Sequence, residues 1–403
     1  MLQTPVRYTF SREVNGLQRS VMRDLLKFAT DPQIISLAGG LPPVECLPLN
    51  DFRDCINTVL ARDGGRAMQY SPQWMPLREW IAAYMRERGV VCEPEQVFIT
   101  GGNQQGLTIL SRLFLDPGDR AVTEEITFTG IQQITAGRSA QVLAVPTDLE
   151  TGVDLDALEE AFSQSPKLAV LITDFHNPLG VSLSARKRMQ VAALAAQYGV
   201  PLIEDDPYSP LRFAGEVLLP VKAYDEAGYV FYLGSFSKML APAVRLGWMV
   251  APIDLIPKIT VIRESLDLES STLMQRAVHE YLSRDLLAPH LSALNATLRE
   301  RCETMMTALD EYLGDIATWT KPDGGLFVWL TLPEHIDTSR MFDEAIKRRV
   351  AYIPGSAFAV NGGYRNTMRL NFSAVPPEKI REGVARLAQV INEQPNKNQT
   401  QRR

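Results

Sequence analysis

The sequence predicts an α/β fold: a large domain with a mainly parallel sheet flanked by helices, joined to a smaller α+β domain. Three observations carry that expectation. The chain has 403 residues, too many for one ordinary core and suited to two lobes with a cleft between them. Between about residues 97 and 250, short apolar runs alternate with longer stretches of helical periodicity. Beyond about residue 290 the pattern changes to one long helical stretch followed by short strand-like runs.

The strand candidates of the first region are VFIT (97–100), QVLAVP (141–146), LAVLIT (168–173), VPLIED (200–205) and YVFYLGS (229–235). Segments 154–164 and 183–198 between them place apolar residues three and four apart, as amphipathic helices do. The later region offers TWTK, GLFVWLTL, a helix around 338–349, AYIP and TMRLNF. These readings divide the chain into an N-terminal arm and part of the small domain (1–50), a large domain (51–290), a C-terminal small domain (291–393) and a frayed polar tail (394–403).

Composition removes several function classes. With 45% hydrophobic and 22% charged residues the chain is neither disordered nor a membrane protein. A formal charge of -6 gives no general attraction to nucleic acid or anionic lipid, so any anion must be held locally. The first residues lack the apolar run of a signal peptide, which makes the cytoplasm the expected compartment. Four cysteines without CxxC spacing and four histidines without HExxH spacing predict no metal site.

In an open α/β sheet, ligands gather at the carboxyl ends of the strands, so the polar residues there are the candidates for chemistry. YVFYLGS runs into Phe236, Ser237 and Lys238, with Arg245 seven residues on. A lysine there could be an amine held for Schiff-base formation, and the arginine could fork onto a phosphate; both could equally be solvated charges. VPLIED leads to Glu204, Asp205, Asp206 and Tyr208, acids that could bind a metal, cap a turn, or place one carboxylate under a ring nitrogen. VFIT is followed by Gly101, Gly102, Asn103 and Gln104 at a helix start, where backbone amides could seat an anion. LAVLIT ends in His176, Asn177, Pro178, Leu179 and Gly180, a ready turn. Arg369 interrupts an apolar strand pattern, and a buried arginine needs an anion, from a structural acid or from a ligand.

In order, SLAGGLP (36–42), QYSP (69–72), GGNQQGL, HNPLG, EDDPY, SFSKMLAPAVRLGW, PDGGLF, IPGSAF and MRLNF cover nearly the whole chain. Together they resemble the fold type I class I/II aminotransferases, which depend on pyridoxal 5'-phosphate (PLP), and most nearly the branch of α-aminoadipate and kynurenine aminotransferases and of MocR-type aminotransferase domains. The resemblance implies that Lys238 carries the cofactor as a Schiff base, that Asp205 meets the pyridine nitrogen, and that Asn177 and Tyr208 meet the ring's phenolic oxygen. It implies phosphate contacts from Asn103, Gln104, Ser235, Ser237 and Arg245, and from Tyr70 of a second subunit, hence a homodimer. Phe128 stands where the family commonly stacks a tyrosine on the ring. Arg369 resembles the arginine that binds the α-carboxylate, Gly39 and Gly40 the segment that closes over substrate, and Arg23 a position that can meet a distal carboxylate. His176, Leu179 and Gln73-Trp74-Met75 depart from the usual residues, which opens the question of substrate.

The activity implied is transfer of an amino group between an L-amino acid and a 2-oxo acid through Lys238. Three other outcomes compete at this stage. The same cofactor could serve oxidation, decarboxylation or β-elimination and replacement. Ser235-Phe236-Ser237-Lys238 is formally SxxK, but the chain has neither SDN nor KTG. A regulator that only binds would need a DNA-binding domain, for which the 35 residues before SLAGGLP leave too little room.

Overall fold

A computed structural model describes residues 8–17, 31 and 33–394. The predicted tail and Arg23 lie outside these residues, apart from Gln394. In chain order the strands are β1 (Ile35–Ser36), β2 (Val97–Thr100), β3 (Arg120–Glu124), β4 (Gln141–Val145), β5 (Thr147–Asp148), β6 (Gly152–Val153), β7 (Leu168–Leu171), β8 (Leu202–Asp206), β9 (Val230–Ser235) and β10 (Gly247–Val250). They continue with β11 (Thr318–Trp319), β12 (Phe327–Thr331), β13 (Val350–Ala351), β14 (Ile353–Pro354) and β15 (Thr367–Asn371).

Seven strands form the main sheet in the order β2-β10-β9-β8-β7-β3-β4. The run from β9 to β4 is parallel, whereas β10 is antiparallel to both β9 and β2. The fold class therefore stands as expected, a mixed sheet with mostly parallel pairing. Two of its strands escaped the apolar-run reading: β3 carries Thr123 and Glu124 in only five residues, and β10 is four residues long beside the polar loop of Lys238.

Burial on both faces explains why the central strands read as continuous apolar runs. One face packs Phe98, Val170, Ile203 and Leu233 against the helix Asn103–Phe114. The other packs Ala169, Leu171 and Leu202 against the helices Leu155–Ser163 and Ala185–Tyr198.

A second sheet, β11-β12-β15-β14, packs with the 27-residue helix Leu287–Leu313 and the helix Pro377–Asn392 into a separate core. The N-terminal segment joins that body, because β1 pairs in parallel with β13 and Leu37 belongs to the same core. Ala38, Gly39 and Gly40 follow at once, which brings this segment over the carboxyl ends of β8 and β9.

Candidate active site

A cavity of about 400 Å³ opens where the two bodies meet. Its lining includes Gly39, Gly40, Asn103, Gln104, Phe128, Asn177, Asp205, Tyr208, Ser235, Ser237, Lys238, Arg245 and Arg369. Residues far apart in sequence thus meet at one cavity.

One end of the cavity is a cradle for an anion. Gly102, with φ +105°, turns β2 into the helix Asn103–Phe114, whose first turn has no side-chain cap. A Cβ on Gly102 would stand 3.0 Å from Arg245 Nη2, so glycine is what lets the guanidinium lie against the loop. Arg245 itself has φ +50° and donates to the Gly101 carbonyl at 2.7 Å. Ser235 Oγ accepts from the Ser237 amide at 3.1 Å. A helix N-terminus, two hydroxyls and a forked cation suit a phosphate.

The Asn103 side chain is committed elsewhere. Its amide donates to Asp205 Oδ1 at 2.6 Å and to the Leu233 carbonyl at 3.2 Å, so only its main chain faces the anion cradle. Gln104 likewise spends its amide on the Gly130 carbonyl at 3.2 Å.

The three neighbouring acids take different surroundings. Alternation along β8 sends Asp205 to the opposite face from Glu204 and Asp206. Glu204 accepts from Thr173 Oγ1 at 2.9 Å and from the amides of Val221 and Lys222 at 2.8 Å each. Asp206 accepts from Arg88 at 2.9 Å, from the Tyr232 hydroxyl at 2.8 Å and from the Ser209 amide at 2.9 Å. Asp205 alone of the three lines the cavity, and burial raises its carboxyl pKa to about 7 against the opposing hydrogen bond of Asn103. A cationic ring nitrogen would restore its charge.

Lys238 sits on the single turn Phe236–Met239 that closes β9, and its Nζ donates to the Gly40 carbonyl at 2.8 Å. Burial, with smaller contributions from Arg369 and Arg245, lowers its pKa to about 8. That makes the free amine accessible near neutral pH, as a nucleophilic lysine requires.

Arg369, fully buried in the middle of β15, donates to Asn177 Oδ1 at 2.7 Å and to the carbonyls of Ala38 and Gly39 at 2.6 and 3.2 Å. The Phe327 ring lies under its guanidinium, 4.3 Å from carbon to centroid. Asn177 also donates to the Tyr208 hydroxyl at 3.2 Å, and burial raises the tyrosine's pKa. Phe128 forms part of the wall, and a Cβ on Gly130 would collide with both its ring and Gln104.

Two candidates stand apart. Tyr70 is 79% exposed and borders a separate surface hollow with Met68 and Thr272. Arg23 falls outside the described residues. Of the departures that raised the question of substrate, Phe128 lines the cavity, whereas Gln73 pairs with both the amide and the carbonyl of Ile99, Trp74 lies under Arg276, and His176 and Leu179 are buried outside its lining. Phe327 and Ile353, apolar residues with no chemistry of their own to single them out in sequence, do line it. Phe327 does end the PDGGLF motif, and Ile353 begins IPGSAF.

A buried amine of lowered pKa, a buried acid of raised pKa and a helix start flanked by hydroxyls and an arginine are the parts a PLP site requires. The chain belongs to the class I and II aminotransferases, whose family model matches residues 33–387. It is 39% identical over 397 residues to aromatic-amino-acid aminotransferase 1 of Thermococcus litoralis, covering 96% of this chain and 95% of that one. Its structure is similar to that of the multiple substrate aminotransferase of Thermococcus profundus, with a TM-score of 0.89, 38% identity and coverage of 95% and 97%. It is also similar to the α-aminoadipate aminotransferase LysN of Thermus thermophilus, complexed with N-(5'-phosphopyridoxyl)-L-leucine, with a TM-score of 0.88, 34% identity and coverage of 95% and 97%. The protein is accordingly a PLP-dependent transaminase acting on amino acids and 2-oxo acids. None of its described helices is long and apolar enough to cross a membrane.

Proposed function

We propose that the cavity performs transamination with the residue roles that follow, and the observation carrying the reading is the convergence of Lys238, Asp205 and Arg369 on one cavity. PLP, when bound, supplies an aldehyde reactive toward amines and a ring that accepts electron density from a carbon losing its proton. Lys238 would hold the cofactor's aldehyde through its Nζ and, as a free amine, would serve as the base that takes the substrate's α-proton and the acid that returns it. Asp205 keeps the ring nitrogen protonated, and Asn103 orients that carboxylate. Asn177 and Tyr208 bind the ring's oxygen, and Phe128 covers one ring face.

The phosphate rests on the main chain of Asn103 and Gln104, on Ser235 and Ser237, and on Arg245. Arg369 orients the α-carboxylate by its forked donors, in place of the carbonyls of Ala38 and Gly39 that it now holds. Gly39 and Gly40 close over the substrate, and Arg23 meets a distal carboxylate.

We place Tyr70 at the phosphate of a second copy, which makes the working unit a homodimer with shared sites. Its exposure suits that position. Residues 51–290 form the PLP-binding domain, 1–50 an N-terminal arm and part of the smaller domain, and 291–393 the C-terminal part of that smaller domain. The cytoplasm is the proposed compartment, since all four cysteines are free thiols, the state a reducing environment preserves. The role is in amino acid metabolism.

The visible spectrum of the purified protein tests this reading. A band near about 420 nm that gives way to one near about 330 nm on adding an amino acid, with a single stoichiometric burst of oxo acid, is the expected result. A persistent band with repeated release of ammonia, peroxide or carbon dioxide would overturn the transfer step.

A further inference from the structure

His176, one of the departures from the family pattern, has no part in the roles above. It is 1% exposed. Its Nε2 lies 2.9 Å from Glu124 Oε2, with both side chains buried. The N–H and oxygen are poorly aligned, so the contact is electrostatic more than a directed hydrogen bond. Glu124 closes β3 and uses the same oxygen to accept the Ile172 amide at 3.1 Å, just past β7. On the other side of the imidazole, Nδ1 accepts from the Leu179 amide at a long 3.5 Å.

The main chain around His176 is closed on itself. Its amide donates to the Val181 carbonyl at 2.7 Å, and Gly180 donates back to the His176 carbonyl at 2.6 Å. This compact turn carries Asn177, whose one amide group spans Tyr208 and Arg369. A shift of the turn by a fraction of an ångström would cost one of those two bonds. A histidine that merely filled space would not need a carboxylate beside it, and a buried carboxylate that otherwise accepts the Ile172 amide gains from a second polar neighbour.

We propose that His176 and Glu124 are positioning residues for transamination, pinning the 176–181 turn to β3 and so holding Asn177 between Tyr208 and Arg369. The inference rests on the reading of Asn177 as a residue of the cofactor and substrate site. The pair also reaches Asp205 electrostatically, His176 lowering and Glu124 raising the pKa of its carboxyl.

The test compares His176→Gln, whose amide extends to the place of Nε2, with His176→Asn, whose amide stops at the place of Nδ1. In the PLP-loaded enzyme, His176→Gln is expected to keep kcat/KM within a few-fold. His176→Asn should lose at least about tenfold, as sub-ångström misplacement does. Affinity for 3-phenylpropionate, an unreactive carboxylate read through the cofactor's absorption band, should weaken in the same order while unfolding midpoints stay close. In an Asn177→Ala background the loss from His176→Asn should vanish, because it acts through Asn177. Equal behaviour of the Gln and Asn variants, or an additive loss in the Asn177→Ala background, would overturn the proposal while leaving the site reading intact. If Asn177→Ala alone changes neither activity nor carboxylate affinity, the site reading itself fails and the proposal with it. Should His176→Asn not fold, Glu124→Gln, which keeps an oxygen for Ile172, must show the same weakening of carboxylate affinity, and an unchanged affinity would refute the proposal.

Discussion

Asn103 donates its side-chain amide to Asp205 at 2.6 Å, tying the start of one helix to the end of the strand beside it. The bond fixes the carboxylate's orientation but does not offset its burial, which holds the pKa at about 7. An acid whose folded pKa exceeds its unfolded value of about 3.8 binds more protons when folded between those pH values. Its contribution to apoenzyme stability is therefore full below about pH 3.8 and is lost as pH rises through about 7. Asp205→Asn should remove that loss. Its apoenzyme should unfold a few degrees above the parent at pH 8, while kcat of the PLP-loaded variant falls by at least about 100-fold for want of a ring-nitrogen partner.

Lys238 supplies a complementary pH dependence. With a folded pKa of about 8, only the unprotonated amine attacks an aldehyde, so capture of added PLP by the apoenzyme should be about tenfold slower at pH 7 than at pH 9. An ordinary lysine would still be gaining rate beyond pH 9. Stopped-flow absorbance distinguishes the two, and Lys238→Ala should show no band at all.

The cradle makes a steric prediction. Gly102→Ala puts a Cβ 3.0 Å from Arg245 Nη2 on a backbone with φ +105°, which an L side chain rarely adopts. PLP affinity, measured by titrating the absorption band, should drop at least about tenfold. Affinity for pyridoxal, which lacks the phosphate, should change much less.

Much of this site was legible because the sheet places its chemistry at strand ends, where sequence punctuation is strongest. Lys238, Arg245 and Arg369 each interrupt or follow an apolar run, and all three line the cavity. Side-chain commitments were not legible. Nothing in GGNQQG shows that the Asn103 amide turns to Asp205, and nothing in EDDPY shows that Arg88 claims Asp206, because those partners come from 102 and 118 residues away. The short strands β3 and β10 were lost for a related reason: they are stabilised by neighbours on both sides, which a run of four or five residues does not reveal.

Tyr70 separates a shared site from a self-contained one. Lys238→Ala and Tyr70→Ala variants, each weak or inactive alone, should regain activity on mixing and subunit exchange, since one site of the hybrid would hold both residues. Recovery of up to about a quarter of parental activity is the expected ceiling, from random pairing with one of two sites intact. No recovery, despite exchange shown by differently tagged subunits, would place Tyr70 away from the site.

The last prediction concerns the acid that faces away from the cavity. Arg88 holds Asp206 at 2.9 Å and also donates to Tyr232, in a pocket where Asp206 is fully buried. Despite the opposing effect of burial, the guanidinium, with help from Ser209, lowers the pKa of Asp206. A carboxyl with a depressed folded pKa contributes stability above its unfolded value, and that contribution is lost as pH falls through the folded pKa. Arg88→Met would leave the carboxylate buried without its cation, at a cost of about 3–5 kcal/mol at pH 7 by denaturant unfolding. Because the strand carrying Asp206 also carries Asp205, kcat should fall as well. Adding Asp206→Asn to Arg88→Met removes the uncompensated charge and should recover a substantial part of the stability. If Arg88→Met costs less than about 1 kcal/mol, the pair is not the anchor of that strand end.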